Sequence, residues 1–108
     1  MYKIKSRIWI ESDEGILLGN GRIKLLKEIE NTGSLSQAAK NLKMSYKKAW
    51  NLMDSVNKNA AQAVVQKSIG GKEGGGTTLT EYGKGLIAKF EELNEATIQF
   101  INQNNRFQ

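Results

Sequence analysis

Thr32-Gly-Ser-Leu-Ser-Gln-Ala-Ala-Lys-Asn-Leu-Lys-Met-Ser-Tyr-Lys-Lys-Ala-Trp-Asn-Leu-Met53 is the stretch that decides the fold of this 108-residue chain. It reads as two short helices, each opened by a serine (Ser34, Ser45) whose hydroxyl can satisfy an orphan N–H of the first turn. The first helix carries Leu35, Ala38, Ala39 and Leu42. Its alanines are good helix formers, small enough to admit a second helix closely. Lys43-Met44 supplies the turn. In the second helix, at 100° per residue, Leu52, Met53 and Val56 fall within about 60° of Ala49. Lys47, Asn51 and Asp54 lie about 140–200° away, flanked by Lys48 and Trp50. Tyr46 lies nearer the apolar face and is expected to keep only its hydroxyl wet. A compact helical pair that exposes lysines and an amide suits a DNA major groove. Lysine donates to guanine O6 and N7, and asparagine pairs bidentately with adenine. Two helices packed in an all-α core remain the competing reading at this point.

The flanks shift that balance. Upstream, Lys3 to Glu11 alternates, with Ile4, Ile8 and Ile10 on one parity and Trp9 among charged residues on the other. This pattern predicts a half-buried strand whose second face is covered at Trp9. Ser12-Asp13-Glu14-Gly15 is a turn, and Ile16-Leu17-Leu18 a short return strand. Ile23, Leu25, Leu26 and Ile29 then lay a helical stripe over Arg22 to Glu30, with Asn20 as expected N-cap and Gly33 as stop.

Downstream, Ala63 to Ile69 predicts a strand, and Gly70-Gly-Lys-Glu-Gly-Gly-Gly76 a tip of little side-chain bulk. Thr77-Thr78-Leu79 returns from it. Thr80 is the expected cap of a last helix from Glu81 towards Asn102. Its apolar stripe is broader than one small core covers, so a second copy of the chain is expected to cover the remainder. Strand, glycine tip and strand directly after the second helix is the order of a winged helix. Its wing lies over the phosphate backbone or minor groove. The expected fold class is therefore α+β, mainly helical: one winged helix-turn-helix domain over residues 1–108. It has an N-terminal strand or hairpin, a glycine-tipped wing at about 63–79 and a C-terminal dimerisation helix at about 81–102.

Composition narrows the chemistry. With no histidine and no cysteine, the commonest general base, the commonest metal ligand and any disulfide are missing. No enzyme, no cofactor and no metal site are expected. No apolar run approaches a membrane span and no secretory h-region follows the N-terminal lysines, so a cytoplasmic protein with no membrane partner is expected. The net charge is +5, and between Lys40 and Lys72 seven lysines face one acid, Asp54. That basic middle fits a nucleic-acid footprint as well as it fits a solvated surface. The glycine tip is no phosphate loop, because Gly71-Lys72 is followed by Glu73 and no helix opens there.

The candidate DNA contacts are Ser34, Ser36, Ser45, Tyr46, Lys47, Lys48 and Asn51 on the helical pair, with Lys67, Lys72, Gly74 and Gly75 on the wing. Trp50 is expected to pack against the wing or the first helix. The candidate dimer stripe is Leu86, Phe90, Leu93, Thr97, Phe100 and Ile101. A homodimer would address a palindromic double-stranded site as a transcriptional regulator. The alternative is a winged-helix protein–protein interaction module that does not touch DNA.

Gly33-Ser-Leu-Ser-Gln-Ala-Ala, Met44-Ser-Tyr-Lys-Lys-Ala-Trp, Gly70-Gly-Lys-Glu-Gly-Gly-Gly-Thr and Leu79-Thr-Glu-Tyr-Gly, in that order, resemble the N-terminal domain of the molybdate-responsive transcriptional regulators, the ModE family. The resemblance covers about Arg22 to Leu93. It implies a winged helix-turn-helix, dimerisation largely through the last helix, and an operator read by the Ser45–Asn57 helix with the Gly70–Gly76 tip at the backbone. Full-length members carry a C-terminal oxyanion-binding region. This chain ends at Gln108 in a polar tail, so molybdate or tungstate sensing is not carried over.

Overall fold

The computed structural model describes residues 1–68 and 76–107. The apolar stripe of helix α1 (Asn20–Thr32) is the predicted one, with Ile23, Leu25, Leu26 and Ile29 buried. Gly33 ends it at φ 69°, its N–H bonded to the Ile29 carbonyl at 2.7 Å. A residue with no Cβ takes this left-handed cap at little cost. The start of α1 differs from expectation. Asn20 is its first residue rather than its cap, and Gly19, fully extended, occupies the cap position without a side chain.

Helices α2 (Leu35–Asn41) and α3 (Tyr46–Asn59) begin on the two predicted serines. Ser34 Oγ accepts the Gln37 N–H and Ser45 Oγ the Lys48 N–H, each at 3.1 Å. Between them Lys43 adopts φ 56°, and the Met44 N–H reaches back to the Ala39 carbonyl at 3.0 Å. Ala38, Ala39 and Ala49 are buried, and their size lets α2 and α3 pack closely. Helix α3 runs two residues beyond the predicted end at Asn57.

The N-terminal hairpin is shorter than predicted. Strands β1 (Ile10–Ser12) and β2 (Gly15–Leu18) pair antiparallel, Ile10 opposite Leu18 and Glu11 opposite Ile16. Because β2 gives way to α1 after four residues, Lys3 to Trp9 find no partner strand and the expected strand contracts to its last residues. Trp9 is not covered either: its indole N–H donates to Glu11 Oε1 at 2.8 Å on the surface.

Strands β3 (Val65–Ser68) and β4 (Gly76–Leu79) also pair antiparallel, from Val65 opposite Leu79 to Ser68 opposite Gly76. Of the tip predicted at Gly70–Gly76, Gly76 is the first residue of β4 and the rest, with Ile69, lies outside the described residues. Helix α4 (Glu81–Gln103) opens on Thr80, whose Oγ1 accepts the Gly83 N–H at 2.9 Å and donates to the Ala63 carbonyl at 2.7 Å. A Cβ on Gly83 would run into the Val64 carbonyl, so glycine lets the first turn of α4 press onto the entry to β3. One core joins Leu17 and Leu18 of β2, the α1 stripe, Leu35 and the alanines, Val56, Val64, Val65, Leu79, Ile87 and Phe90. Among the described residues no polar or charged side chain is buried with it. The fold is α+β and mainly helical, with an N-terminal hairpin and a long last helix.

Candidate nucleic-acid interface

Helix α3 splits into two faces. Ala49 and Val56 are buried and Leu52 and Met53 half-buried, while Lys47, Lys48 and Asn51 are exposed. Its second half is fastened by side-chain bonds. Asn57 Nδ2 donates to the Val65 carbonyl at 2.9 Å, and its Oδ1 accepts the Val64 and Val65 N–H groups at 2.8 and 3.0 Å. One side chain thus ties β3 to α3. Asn59 Nδ2 donates to the Ile16 carbonyl at 2.8 Å, tying the hairpin to the same helix. Neither asparagine stands out in the sequence, because its partners are fixed only by tertiary structure.

The electrostatics sharpen around the unfastened half. Asp54, the one acid in the basic middle, is held by Lys58 at 2.9 Å. The other ion pairs among the described residues are Lys27–Glu91 and Lys84–Glu81. Lys40, Lys43, Lys47, Lys48 and Lys67 take part in none of them, so their charge stays uncompensated by a bonded carboxylate. Tyr46 is 56% exposed and Trp50 45% exposed, against the expectation that both would be largely covered. The first buried residue of α3 is Ala49, and the first turn overhangs the core. Trp50 leaves the helix about 100° round from Ala49.

The expected contacts come together unevenly. Ser45, Lys47, Lys48 and Asn51 line one shallow depression with Leu52 and with Arg22 from the first turn of α1. Arg22 was read from sequence only as the start of a helical stripe. Its Nη2 donates to Ser55 Oγ at 3.2 Å, a contact spanning 33 residues that no local pattern reveals. Ser34 is half-buried at the head of α2 and Ser36 is exposed there; Lys67 is exposed on β3 opposite Thr77. Lys72, Gly74 and Gly75 lie outside the described residues. Among the described residues no group of three or more acidic, histidine or cysteine side chains is placed to hold a metal ion. Among the described residues no helix is long and apolar enough to cross a membrane.

The expected dimer stripe divides along α4. Phe90 is 4% exposed and belongs to the chain's own core, with Leu86 half-buried against that core. Leu93 and Phe100 are exposed, and so is Ile98, which the stripe did not include. Thr97 and Ile101 are half-buried, the Thr97 hydroxyl donating to the Leu93 carbonyl at 2.9 Å. The N-terminal segment lies beside this end of α4, where Asn105 Nδ2 donates to the Tyr2 carbonyl at 3.1 Å.

No protein-family model matches the chain. Several curated proteins do. The molybdenum transport protein ModE of Azotobacter vinelandii is 41% identical over 88 residues, 82% of this chain and 33% of its own length. The transcriptional regulator ModE of Haemophilus influenzae is 40% identical over 84 residues, 78% of this chain and 33% of its own. The DNA-binding transcriptional dual regulator ModE of Escherichia coli K12 is 44% identical over 72 residues, 67% of this chain and 28% of its own. The chain spans about a third of the length of the curated relatives it matches.

Proposed function

The chain belongs to the ModE family of transcriptional regulators, and we propose that it binds double-stranded DNA as a homodimeric winged helix-turn-helix regulator. In this reading α3 enters the major groove. Lys47, Lys48 and Asn51 meet base edges and phosphates, Ser45 and Tyr46 meet the backbone at the head of the helix, and Ser34 and Ser36 do so from α2. The β3–β4 pair is the wing, carrying Lys67; Lys72, Gly74 and Gly75, which lie outside the described residues, complete the proposed backbone contacts. Leu93, Thr97, Phe100 and Ile101 of α4 meet their counterparts in the second copy, while Ile98 leaves the helix about 140° round from Leu93 and lines a depression with the chain's own N-terminal segment. Two α3 helices about 34 Å apart would then address successive major grooves of a two-fold symmetric site.

The observation that carries the reading is the exposed face of α3. Among the described residues its Lys47 and Lys48 have no bonded acid, and Asp54, the one acid in the basic middle, pairs with Lys58 at the far end of the helix. A polyanion is attracted to such a face. If about six phosphates are neutralised, log K should fall against log salt with a slope near −5. Fluorescence anisotropy on mixed-sequence duplex DNA at two salt concentrations tests this. Absence of binding at low salt would sink the DNA reading. The exposed Tyr46 and Trp50 favour a second reading, a docking face for another protein, since aromatic side chains anchor protein interfaces. That reading predicts partner binding with little salt dependence.

A further inference from the structure

Arg22 is unlike the other basic residues of the molecule. Its guanidinium is pinned against α3, with Nη2 donating to Ser55 Oγ at 3.2 Å. Its Nε is buried without an acceptor among the described residues. A buried donor left unmatched is uncommon and calls for a cause. Here the side chain gives up one donor to stay wedged between α1 and α3 with its remaining surface lining the depression shared with Ser45, Lys47, Lys48 and Asn51. No acid lines that depression, and none of the ion pairs among the described residues involves Arg22, Lys47 or Lys48. Three positive side chains around one open concavity favour an oxyanion. The planar guanidinium matches phosphate oxygens better than an ammonium does.

Its place relative to α3 says which phosphate. Ser55 and Asn57 are two residues apart on one helix, so their side chains leave it about 200° apart. Asn57 holds β3, and Ser55 holds Arg22. The first turn of α1 and the β3–β4 pair therefore flank α3 on opposite sides. A helix lying in a major groove has a phosphate strand on each side of it. We propose that Arg22 contacts the DNA backbone on the flank of α3 away from the β3–β4 pair, sharing a phosphate with Lys48 across the depression. This rests on the DNA-binding reading above and adds a backbone contact from α1. Such a contact adds affinity and fixes the orientation of α3, but carries no sequence information.

Three variants of the full chain test it. Arg22→Gln should flatten the log K against log salt slope by about 0.9 per protomer. It should weaken binding to mixed-sequence and to selected duplexes by the same factor. Arg22→Lys, which keeps the charge, should restore most of the slope. Gly21→Glu lies in the same turn, where an added Cβ meets nothing within 4 Å. An acid at a helix start favours folding. This variant should keep or raise the unfolding midpoint while weakening duplex binding, so it decides the matter even if Arg22→Gln fails to fold. Unchanged affinity and slope in a folded Arg22→Gln, or in Gly21→Glu where Arg22→Gln does not fold, would overturn the Arg22 contact and leave the DNA reading standing. An unaltered chain that does not bind duplex at low salt would overturn that reading, and the contact with it.

Discussion

Helix α3 and the second half of α4 are both helical segments with one face uncovered, yet they leave opposite chemistry in the open. On α3 the uncovered side holds Lys47, Lys48 and Asn51, while its apolar side is spent on the core. On α4 the core takes Ile87 and Phe90 in the first half and then runs out, leaving Leu93 and Phe100 exposed. A face of unpaired lysines is stable in water and becomes useful beside a polyanion. A face of leucine and phenylalanine is costly in water and becomes stable against another apolar face. In the function proposed above, the two uncovered faces take different occupants, DNA for one and a second copy of the chain for the other.

The comparison breaks most visibly at α4. Leu93→Asp with Phe100→Asp should convert a dimer into a monomer, since a charge in an apolar contact is strongly disfavoured. Losing the second reading helix should cost about a hundredfold or more in affinity for a symmetric site. Because both residues are exposed, the monomer should still fold cooperatively, with a midpoint that no longer rises with protein concentration as that of the unaltered dimer does. Sedimentation with anisotropy on the same samples reads both effects, and a persistent dimer would show that this half of α4 is not the interface.

At α3 the expected effect is on discrimination. Lys47→Ala with Asn51→Ala should reduce preference for the selected site by about 1–3 kcal/mol per lost base contact. The dimer and the fold should be untouched. Equal discrimination in competition binding would exclude this face as the reader. A smaller and purely structural effect is expected at Asn57→Ala. It strands the Val64 and Val65 N–H groups, lowering stability by about 1–3 kcal/mol in urea unfolding. An unchanged midpoint would mean that water replaces the side chain and that β3 is not tied through it. Smallest is Ser45→Ala, which removes the cap of α3 and should cost about 1 kcal/mol in the same measurement.

What the sequence revealed was what local chemistry determines. The caps at Ser34, Ser45 and Thr80, the stop at Gly33 and the α1 stripe are written within a few residues of where they act, and each is found in place. The N-terminal strand was overestimated because alternation specifies a strand's faces but not the length of its partner. With β2 ending at Leu18, Lys3 to Trp9 pair with no strand among the described residues. Asn57, Asn59 and Arg22 were passed over because their importance depends on residues brought to them by the fold. Polar side chains in helices give no periodic signal of such a role. The apolar stripe of α4 was legible as a whole, but not the point near Leu93 where the chain's own core stops covering it.

The central claim, that two α3 helices related by a two-fold axis read one DNA site, is tested most directly by selecting bound sequences from random duplex DNA. The account predicts enrichment of a palindrome whose half-sites are centred about one helical turn, 10–10.5 base pairs, apart. Recovery of no enriched sequence, or of a single site without symmetry, would contradict it.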